Sequence, residues 1–299
     1  MCSQPDPLTL RDAIYWAESI FESAKIDSPR ADAEWIVGDI LSIERPKLYL
    51  KPDTRLTKTQ TERLRKLVSR RGDRVPLQHL LGYTEFFSLP FLCSPNALIP
   101  RPETEILVET AISYLLNRPM PRILDLCTGS GVIAVSLAHN LPDAEVVAAD
   151  LSISALLLAR QNARKNGVSG RISLFRAHLL SSILDQPVFH AIVANPPYVA
   201  TQDVSGLQTE VRDFDPALAL DGGPDGLTLL RQIISEAPSL LLENGFLLLE
   251  TSHDQPHRVA DLMAASLRDV SIVKDLTGTD RFVVGFRKPR KGRRHSAVA

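Results

Sequence analysis

Apolar positions at the start of the chain repeat at three- and four-residue steps. Leu10, Ile14 and Phe21 fall on one face of an amphipathic helix. The pair Ser28-Pro29 begins a second helix, with serine at the N-cap and proline in the first turn. A third helix carries a basic face that we interpret as solvated. These patterns predict a helical bundle over residues 1–75. The basic face consists of Arg63, Arg65, Lys66, Arg70 and Arg71.

The pattern changes after the bundle. Aromatic residues and a Ser-Leu-Pro break within residues 76–102 predict a β-hairpin linker between two domains. Residues 103–288 then alternate helices with short apolar strands, which is typical of an α/β domain whose mostly parallel sheet is covered on both faces. The predicted helices span 103–117, 132–140, 153–166 and 226–242, with one more before the last two strands. The predicted strands span 123–126, 145–150, 172–176, 191–195, 246–250, 270–275 and 281–287.

Composition agrees with a soluble globular protein. The chain has 299 residues, of which 44% are hydrophobic and 23% charged, and its net charge of −1 provides no strong field toward nucleic acid or membrane. Basic residues crowd the tail at 289–299, which we expect to be disordered and to offer the sole route to nucleic-acid contact. We expect a monomer.

Cysteine usage and the first residues predict a cytoplasmic location. The three cysteines lie far apart without a C-x-x-C pair, so we expect neither a zinc site nor disulfides, and no bound metal. Residues 1–7 lack the basic and apolar regions of a signal peptide. No apolar run approaches the roughly 20 residues of a membrane span, so we expect no membrane partner.

A glycine-rich loop at 125–131 follows the first strand of the α/β domain. Gly129 and Gly131 allow a tight turn and a close approach of the backbone to a ligand, toward which the N–H groups of the next helix point. Asp150 ends the second strand, where a carboxylate can bind both hydroxyls of a ribose. The spacing also satisfies the relaxed dinucleotide pattern G-x-G-x-x-A, so a nicotinamide enzyme stays open. Asp125 favours S-adenosylmethionine, because it could hold the amino group of the methionine part.

A polar corner, Asn195-Pro196-Pro197-Tyr198, ends the fourth strand. Two consecutive prolines cannot continue a sheet ladder. The Asn195 side chain and the carbonyl of Pro196 can accept the two hydrogens of an –NH₂ group, and Tyr198 can pack on its plane. This arrangement predicts methyl transfer to the planar nitrogen of an amide or an exocyclic amine, with Asn195, Pro196 and Tyr198 as catalytic residues.

Several further segments stand beside the glycine loop and the Asn195 corner. They are Pro76-Leu77-Gln78 with Leu81-Gly82, Leu98 to Glu105, Asp215 to Gly223 with Asp225-Gly226-Leu227, and Asp280-Arg281. Together, these segments resemble one family over most of the chain: the HemK/PrmC protein-glutamine methyltransferases, which modify the glutamine of the Gly-Gly-Gln motif in peptide chain release factors.

The resemblance implies a seven-stranded, Rossmann-like sheet with a reversed last strand, and an N-terminal helical domain that docks the release factor. The implied reaction transfers a methyl group from S-adenosylmethionine to the side-chain amide nitrogen of the glutamine. The expected cofactor contacts are Asp125, Cys127, Thr128, Gly129, Ser130, Gly131, Asp150, Leu179 and Asn195. The expected substrate contacts are Asn195, Pro196, Pro197 and Tyr198, with Ile99, Pro100 and Arg101 lining the approach.

Three residues depart from the family pattern. Cys127 stands where a glycine is usual, and His178 stands at an acidic position near the adenine. Asn96 replaces a glycine, whose left-handed turn it can mimic. Two other functions stay open: an adenine-amine methyltransferase acting on nucleic acid, and a non-catalytic binding module associated with translation.

Overall fold

The computed structural model describes residues 8–181 and 186–289, and within them the chain forms two compact units. The helical unit lies within Met1–Tyr83 and Gln208–Phe214, and the sheet unit lies within Thr84–Leu207 and Asp215–Ala299. The helices are α1 (Leu10–Ser23), α2 (Pro29–Leu41), α3 (Lys58–Gly72), α4 (Leu77–Leu81), α5 (Thr104–Leu115), α6 (Val132–Asn140), α7 (Ile153–Lys165), α8 (Thr209–Arg212), α9 (Thr228–Leu240) and α10 (Pro256–Ala264). The strands are β1 (Tyr83–Phe86), β2 (Leu89–Leu92), β3 (Arg122–Leu126), β4 (Glu145–Asp150), β5 (Ile172–Arg176), β6 (Phe189–Ala194), β7 (Leu241–Glu250), β8 (Leu267–Lys274) and β9 (Asp280–Arg287).

Helices α1, α2 and α3 form the core of the helical unit. Thr9 and Thr57 each begin a helix through a capping box. The threonine hydroxyl accepts from the backbone N–H of the third helical residue, and the side chain of that residue accepts from the backbone N–H of the threonine. Phe21, Ile36 and Leu64 are completely buried between the helices. The predicted helices are confirmed. Helix α4 was not predicted, because five residues are too few to show a periodicity.

The basic face of α3 is only partly solvated, whereas its periodicity suggested a solvated face. Arg71 is 6% exposed. Its guanidinium donates to Asp32 at 2.7 Å and to Glu210 at 3.1 Å, and Arg74 also binds Glu210. The unit thereby includes Gln208–Phe214, which lies far along the chain. An arginine this deeply buried needs paired carboxylates, and these come from distant positions that a helical pattern cannot reveal.

The sheet unit contains a seven-stranded sheet in the order β5-β4-β3-β6-β7-β9-β8. Strands β5, β4, β3, β6 and β7 are parallel, and β9 runs antiparallel to both β7 and β8. Neighbouring residues of a strand point into two separate cores, so Ile123 belongs to one and Leu124 to the other. The predicted α/β fold with a reversed last strand is confirmed, as is the hairpin of β1 and β2.

The segment 199–223, between the predicted strand 191–195 and the predicted helix 226–242, has secondary structure of its own. It contains two short 3₁₀ helices, Thr201–Gly206 and Ala217–Ala219, as well as α8. Segments of three to six residues are too short for an amphipathic repeat. Most of the basic tail, residues 290–299, lies outside the described residues. Among the residues that are described, no helix is both long and apolar enough to cross a membrane.

Candidate active site

The polar corner and the glycine loop lie side by side because of the strand register. Ala194, the last residue of β6, pairs with Leu126 at the end of β3 and with Leu249 near the end of β7. The loop at 125–131 and the corner at 195–198 therefore leave the same edge of the sheet. Carboxyl ends of parallel strands are where open α/β sheets bind ligands.

A cavity of about 270 Å³ opens between these segments. It brings together most of the predicted site residues, namely Arg101, Cys127, Thr128, Gly129, Ser130, Asp150, Leu179, Asn195 and Pro197, along with Pro100. Five predicted residues do not line it: Ile99, Asp125, Gly131, Pro196 and Tyr198. Lining residues that the sequence did not single out for this role include Leu98, Thr104, Ile133, Pro216, Leu218 and Leu229.

The glycine loop needs left-handed backbone at several positions. Gly129 and Gly131 have φ values of 55° and 83°. A Cβ on Gly131 would lie 2.9 Å from the Cβ of Ala159, so this glycine also permits close packing of α7. Cys127, which stands in place of a glycine, adopts φ 57°, a conformation that costs a non-glycine residue about 1–2 kcal/mol. Asn96 is not in this left-handed region, so the expected mimicry of a glycine turn is wrong.

Asp125 holds the glycine loop in place through hydrogen bonds. The residue is completely buried, and its Oδ2 accepts from the hydroxyl of Thr128 at 2.6 Å and from the N–H of Ala134 at 3.1 Å. Burial raises the pKa of this carboxyl to about 7. Its Oδ1 has no partner in the part of the chain that the structure describes. Asp125 does not itself line the cavity, so this oxygen lies behind the lining residue Thr128, and the structure does not place it where the predicted contact with the amino group would require it.

Asp150 lies at the wall of the cavity. Its two oxygens accept from the backbone N–H groups of Gly129 and Ser152, each at 2.8 Å. Burial raises the pKa of this carboxyl. Each oxygen retains a lone pair for a further donor, as binding of a ribose would require.

The adenine end of the predicted cofactor site contains the two remaining residues of interest. Leu179 lines the cavity in a left-handed conformation with φ 50°. His178 is exposed and also lines the cavity. His178, which stands where the family has an acidic residue, therefore lies at the rim of the cavity.

Arg101 pairs with a carboxylate that sequence reasoning left without a role. Its Nη2 lies 2.7 Å from Oδ2 of Asp215, whose Oδ1 accepts from the N–H of Ile99 at 3.4 Å. Burial raises the pKa of Asp215 to about 6. The pair connects the segment before α5 with the end of the 199–223 segment, and both line the cavity. The motif around Asp215 signalled a family feature, but its partner could not be inferred.

The corner itself is fixed by two glycines of a later segment. A Cβ on Gly222 would lie 2.7 Å from the carbonyl oxygen of Pro197, and one on Gly226 would meet the carbonyl oxygen of Tyr198. The same Tyr198 oxygen accepts from Nε2 of Gln255 at 2.9 Å. These glycines are required because backbone lies against backbone at the corner.

Thr104 and Glu250 reach the corner from two other elements. Nδ2 of Asn195 donates to Oγ1 of Thr104 at 3.3 Å, and that hydroxyl donates to Oε2 of Glu250 at 2.9 Å. The hydroxyl of Tyr198 lies 3.5 Å from Oε1 of Glu250. Sequence reasoning assigned neither Thr104 nor Glu250 to the site. A signal existed, since Glu250 ends the predicted strand 246–250 at this same edge.

Comparison with known proteins first defines the class. Residues 103–212 match the family model described as Methyltransferase small domain, and residues 12–82 match PrmC N-terminal domain. A solved structure titled as the hMettl16 catalytic domain in complex with an RNA hairpin shares the fold, with a TM-score of 0.55 and 15% identity over 77% of this chain and 82% of that one. The protein is a Rossmann-like methyltransferase.

Full-length relatives then define the family. The release factor glutamine methyltransferase of Geobacter sulfurreducens is 38% identical over 95% of this chain and 99% of its own. That of Moorella thermoacetica is 39% identical over 94% and 99%. The chain belongs to the release factor glutamine methyltransferase family, so the resemblance predicted from its motifs is confirmed.

The cavity fits S-adenosylmethionine, the cofactor of this class of enzyme. Asp150 offers acceptor oxygens at the cavity wall, and Leu179 and Ile133 provide apolar wall. The nicotinamide alternative is not favoured. The contact made by each residue with the cofactor stays a prediction.

Proposed function

We propose that this protein transfers a methyl group from S-adenosylmethionine to the side-chain amide nitrogen of the glutamine in the Gly-Gly-Gln motif of peptide chain release factors. The observation that carries the proposal is the placement of Asn195 at the cavity wall. Its Nδ2 is engaged by Thr104, while its Oδ1 makes no hydrogen bond with the described part of the chain. An acceptor is therefore available where the substrate nitrogen must lie.

The residues of the corner would orient a poor nucleophile. The lone pair of an amide nitrogen is delocalised, so geometry must supply much of the catalysis. Oδ1 of Asn195 and the carbonyl of Pro196 would accept the two N–H hydrogens and hold the lone pair in line. S-adenosylmethionine, when bound, supplies an electrophilic sulfonium methyl. Well-aligned reactants can remove roughly 7–11 kcal/mol of a barrier.

The same two acceptors would favour the transition state over the ground state. Positive charge grows on the nitrogen as the new bond forms, which strengthens hydrogen bonds from its N–H groups to fixed oxygens. No strong base is needed beforehand, because the methylated nitrogen loses its proton readily to water. Tyr198 would support the plane of the substrate at the corner, and Ile99 and Arg101 would line its approach.

The helical unit would dock the body of the release factor, since it carries no chemical motif of its own. Exposed aromatic residues on this unit, Tyr15, Trp35 and Tyr49, suit a protein surface. A protein that acts on translation factors would work in the cytoplasm, and we propose that it does so as a monomer.

Labelled cofactor and a purified release factor test this function directly. We expect label on the wild-type factor and none on a factor whose Gly-Gly-Gln glutamine is replaced by alanine. Absence of label on the wild-type factor, or equal label on both, would overturn the proposal. Label that appears in RNA or DNA instead would indicate an adenine-amine methyltransferase.

The variant Asn195→Ala distinguishes an enzyme from a non-catalytic binding module. We expect turnover to fall by about 10²–10³-fold, the usual loss when one preorganised hydrogen-bonding group is removed from a transition state. Cofactor affinity, measured by equilibrium dialysis, should change far less than turnover, because Asn195 is one of nine expected cofactor contacts. Unchanged association with the release factor together with unchanged turnover would contradict the assigned role of Asn195.

A further inference from the structure

A chain of hydrogen bonds runs from the corner into the protein interior. It begins at Nδ2 of Asn195, passes through the hydroxyl of Thr104 at 3.3 Å, and ends at Oε2 of Glu250, 2.9 Å further on. Thr104 is 2% exposed and Glu250 is 1% exposed. Water therefore has little access to the inner hydrogen bonds of this series, so these protein groups must satisfy one another's donors and acceptors.

Glu250 also has a second donor. The hydroxyl of Tyr198 lies 3.5 Å from Oε1. Burial and the nearby carboxylate of Glu250 raise the pKa of this phenol, so Tyr198 keeps its proton and can act as a donor. Both oxygens of Glu250 thus face hydroxyl groups.

The direction of these bonds determines the orientation of the Asn195 amide. In its ionised form, which prevails above its raised pKa of about 7, Glu250 can only accept, and a threonine hydroxyl has one hydrogen to donate. When the Thr104 hydrogen goes to Glu250, the Thr104 oxygen can only accept. The end of the Asn195 amide that faces Thr104 must then be the NH₂ group, which leaves Oδ1 at the opposite end.

This selection matters because the two ends of a carboxamide have nearly the same shape. Packing cannot distinguish them, so hydrogen bonds must. A reversed amide would present a donor to the N–H groups of the substrate. Two donors facing each other would repel, most strongly when positive charge develops on the substrate nitrogen.

We propose that Thr104 and Glu250 are positioning residues that hold Oδ1 of Asn195 toward the substrate amide. The inference rests on the proposed function of Asn195 as the acceptor for the glutamine nitrogen. Glu250 sets the direction of the Thr104 hydroxyl, and Thr104 sets the orientation of Asn195. Neither residue needs to touch the reacting atoms.

The variants Thr104→Val and Thr104→Ser test this inference as a matched pair. Valine keeps the shape of threonine without the hydroxyl, and serine keeps the hydroxyl. We expect Thr104→Val to lower kcat at least roughly tenfold, less than the direct loss of Asn195. KM for the release factor and Kd for the cofactor should stay near wild type. Thr104→Ser should restore kcat to within about threefold of wild type.

A second variant tests the acceptor at the inner end of the chain. Glu250→Gln offers one oxygen and one NH₂ group, so the Thr104 hydroxyl can point either way. We expect kcat to fall by a smaller factor than in Thr104→Val, again with unchanged cofactor affinity. Thr61→Val is the control for burying valine, since Thr61 is equally buried in the helical unit and bonds to the carbonyl of Thr57. It should leave kcat unchanged.

The outcomes separate this inference from the function on which it rests. A wild-type protein that methylates no release factor overturns both. An active wild type with unchanged kcat in Thr104→Val and Glu250→Gln overturns the inference alone. A loss of kcat in Thr104→Val that serine does not restore, or that accompanies lost cofactor affinity, indicates a merely structural role and also overturns it.

Discussion

Two buried glutamates, one in each unit, have opposite surroundings. In the helical unit, Glu34 accepts from Arg30 at 2.9 Å, from Arg45 at 2.8 Å and from the hydroxyl of Tyr49. Burial opposes its charge, but these donors together lower the pKa of Glu34. In the sheet unit, Glu250 is held by hydroxyl groups at 2.9 and 3.5 Å, and burial raises its pKa to about 7.

The difference shows what each carboxylate does. The arginines stabilise the charged form of Glu34 by more than burial destabilises it, so Glu34 contributes to the stability of the helical unit. Glu250 is buried without such an ion pair, which costs free energy at neutral pH. Groups of this kind are concentrated at functional sites, where their hydrogen bonds serve function although their burial lowers the stability of the fold.

The largest effect we expect from this comparison concerns Glu250. The pKa of Glu250 is raised from 4.5 to about 7 in the folded state. The folded state therefore holds the proton more tightly, and stability falls as pH rises through this window. Glu250→Gln removes the dependence, so its free energy of unfolding relative to wild type should rise by up to about 3 kcal/mol between about pH 5 and about pH 8.

Denaturant titrations of both proteins at the two pH values measure this change. Other titrating groups are common to both proteins, so they cancel in the difference. A difference that stays constant with pH would show that Glu250 is not a buried carboxyl of raised pKa.

The second prediction concerns Glu34 and has the opposite sign. Glu34→Gln removes the charged acceptor that Arg30 and Arg45 share, although Arg30 keeps its pair with Glu18, and should lower the free energy of unfolding at neutral pH by about 2 kcal/mol. Because the pKa of Glu34 is lowered, its stabilisation is present above the ordinary value of 4.5 and is lost as pH falls. The destabilisation by the variant, measured by thermal unfolding, should therefore shrink in acid. A loss that grows in acid would contradict this account.

The third prediction extends the comparison from charge to backbone strain at the site. Cys127 has φ 57°, which glycine adopts without a steric cost. Cys127→Gly should raise the free energy of unfolding by about 1 kcal/mol, after allowance for the greater freedom of glycine in the unfolded chain. Chemical denaturation measures the gain. A destabilisation of similar size would show that the thiol packs more favourably than its backbone is strained.

The smallest effect should come from an exposed ion pair. Arg11 and Asp53 lie 2.8 Å apart with side chains 53% and 82% exposed. Arg11→Ala should lower the free energy of unfolding by less than about 0.5 kcal/mol, and added salt should reduce even this loss. The small loss in Arg11→Ala serves as the baseline for the loss in Glu34→Gln. A loss above about 1 kcal/mol would show that burial is not what distinguishes the two pairs.

Local rules in the sequence predicted much of the sheet unit. Apolar strands alternate with helices, Gly129 and Gly131 mark a tight turn, and the prolines at 196 and 197 mark the end of a strand. Each of these signals acts within a few residues. Parallel strands then bring the glycine loop and the corner to one edge, so their proximity could be predicted as well.

The supporting contacts could not be predicted because their partners are distant in sequence. Thr104 and Glu250 are 146 positions apart, and Arg101 and Asp215 are 114 apart. Arg71 has a similarly distant partner in Glu210. Each residue taken singly resembles an ordinary polar position, and only the fold shows which one pairs with which.

The most direct test of the proposed methyl transfer is the mass, with fragmentation, of the Gly-Gly-Gln peptide from a release factor co-expressed with this protein. We expect one added methyl group on the glutamine side chain, which Asn195→Ala should reduce strongly. An unmodified glutamine, or a methyl group on another residue of the peptide, would contradict it.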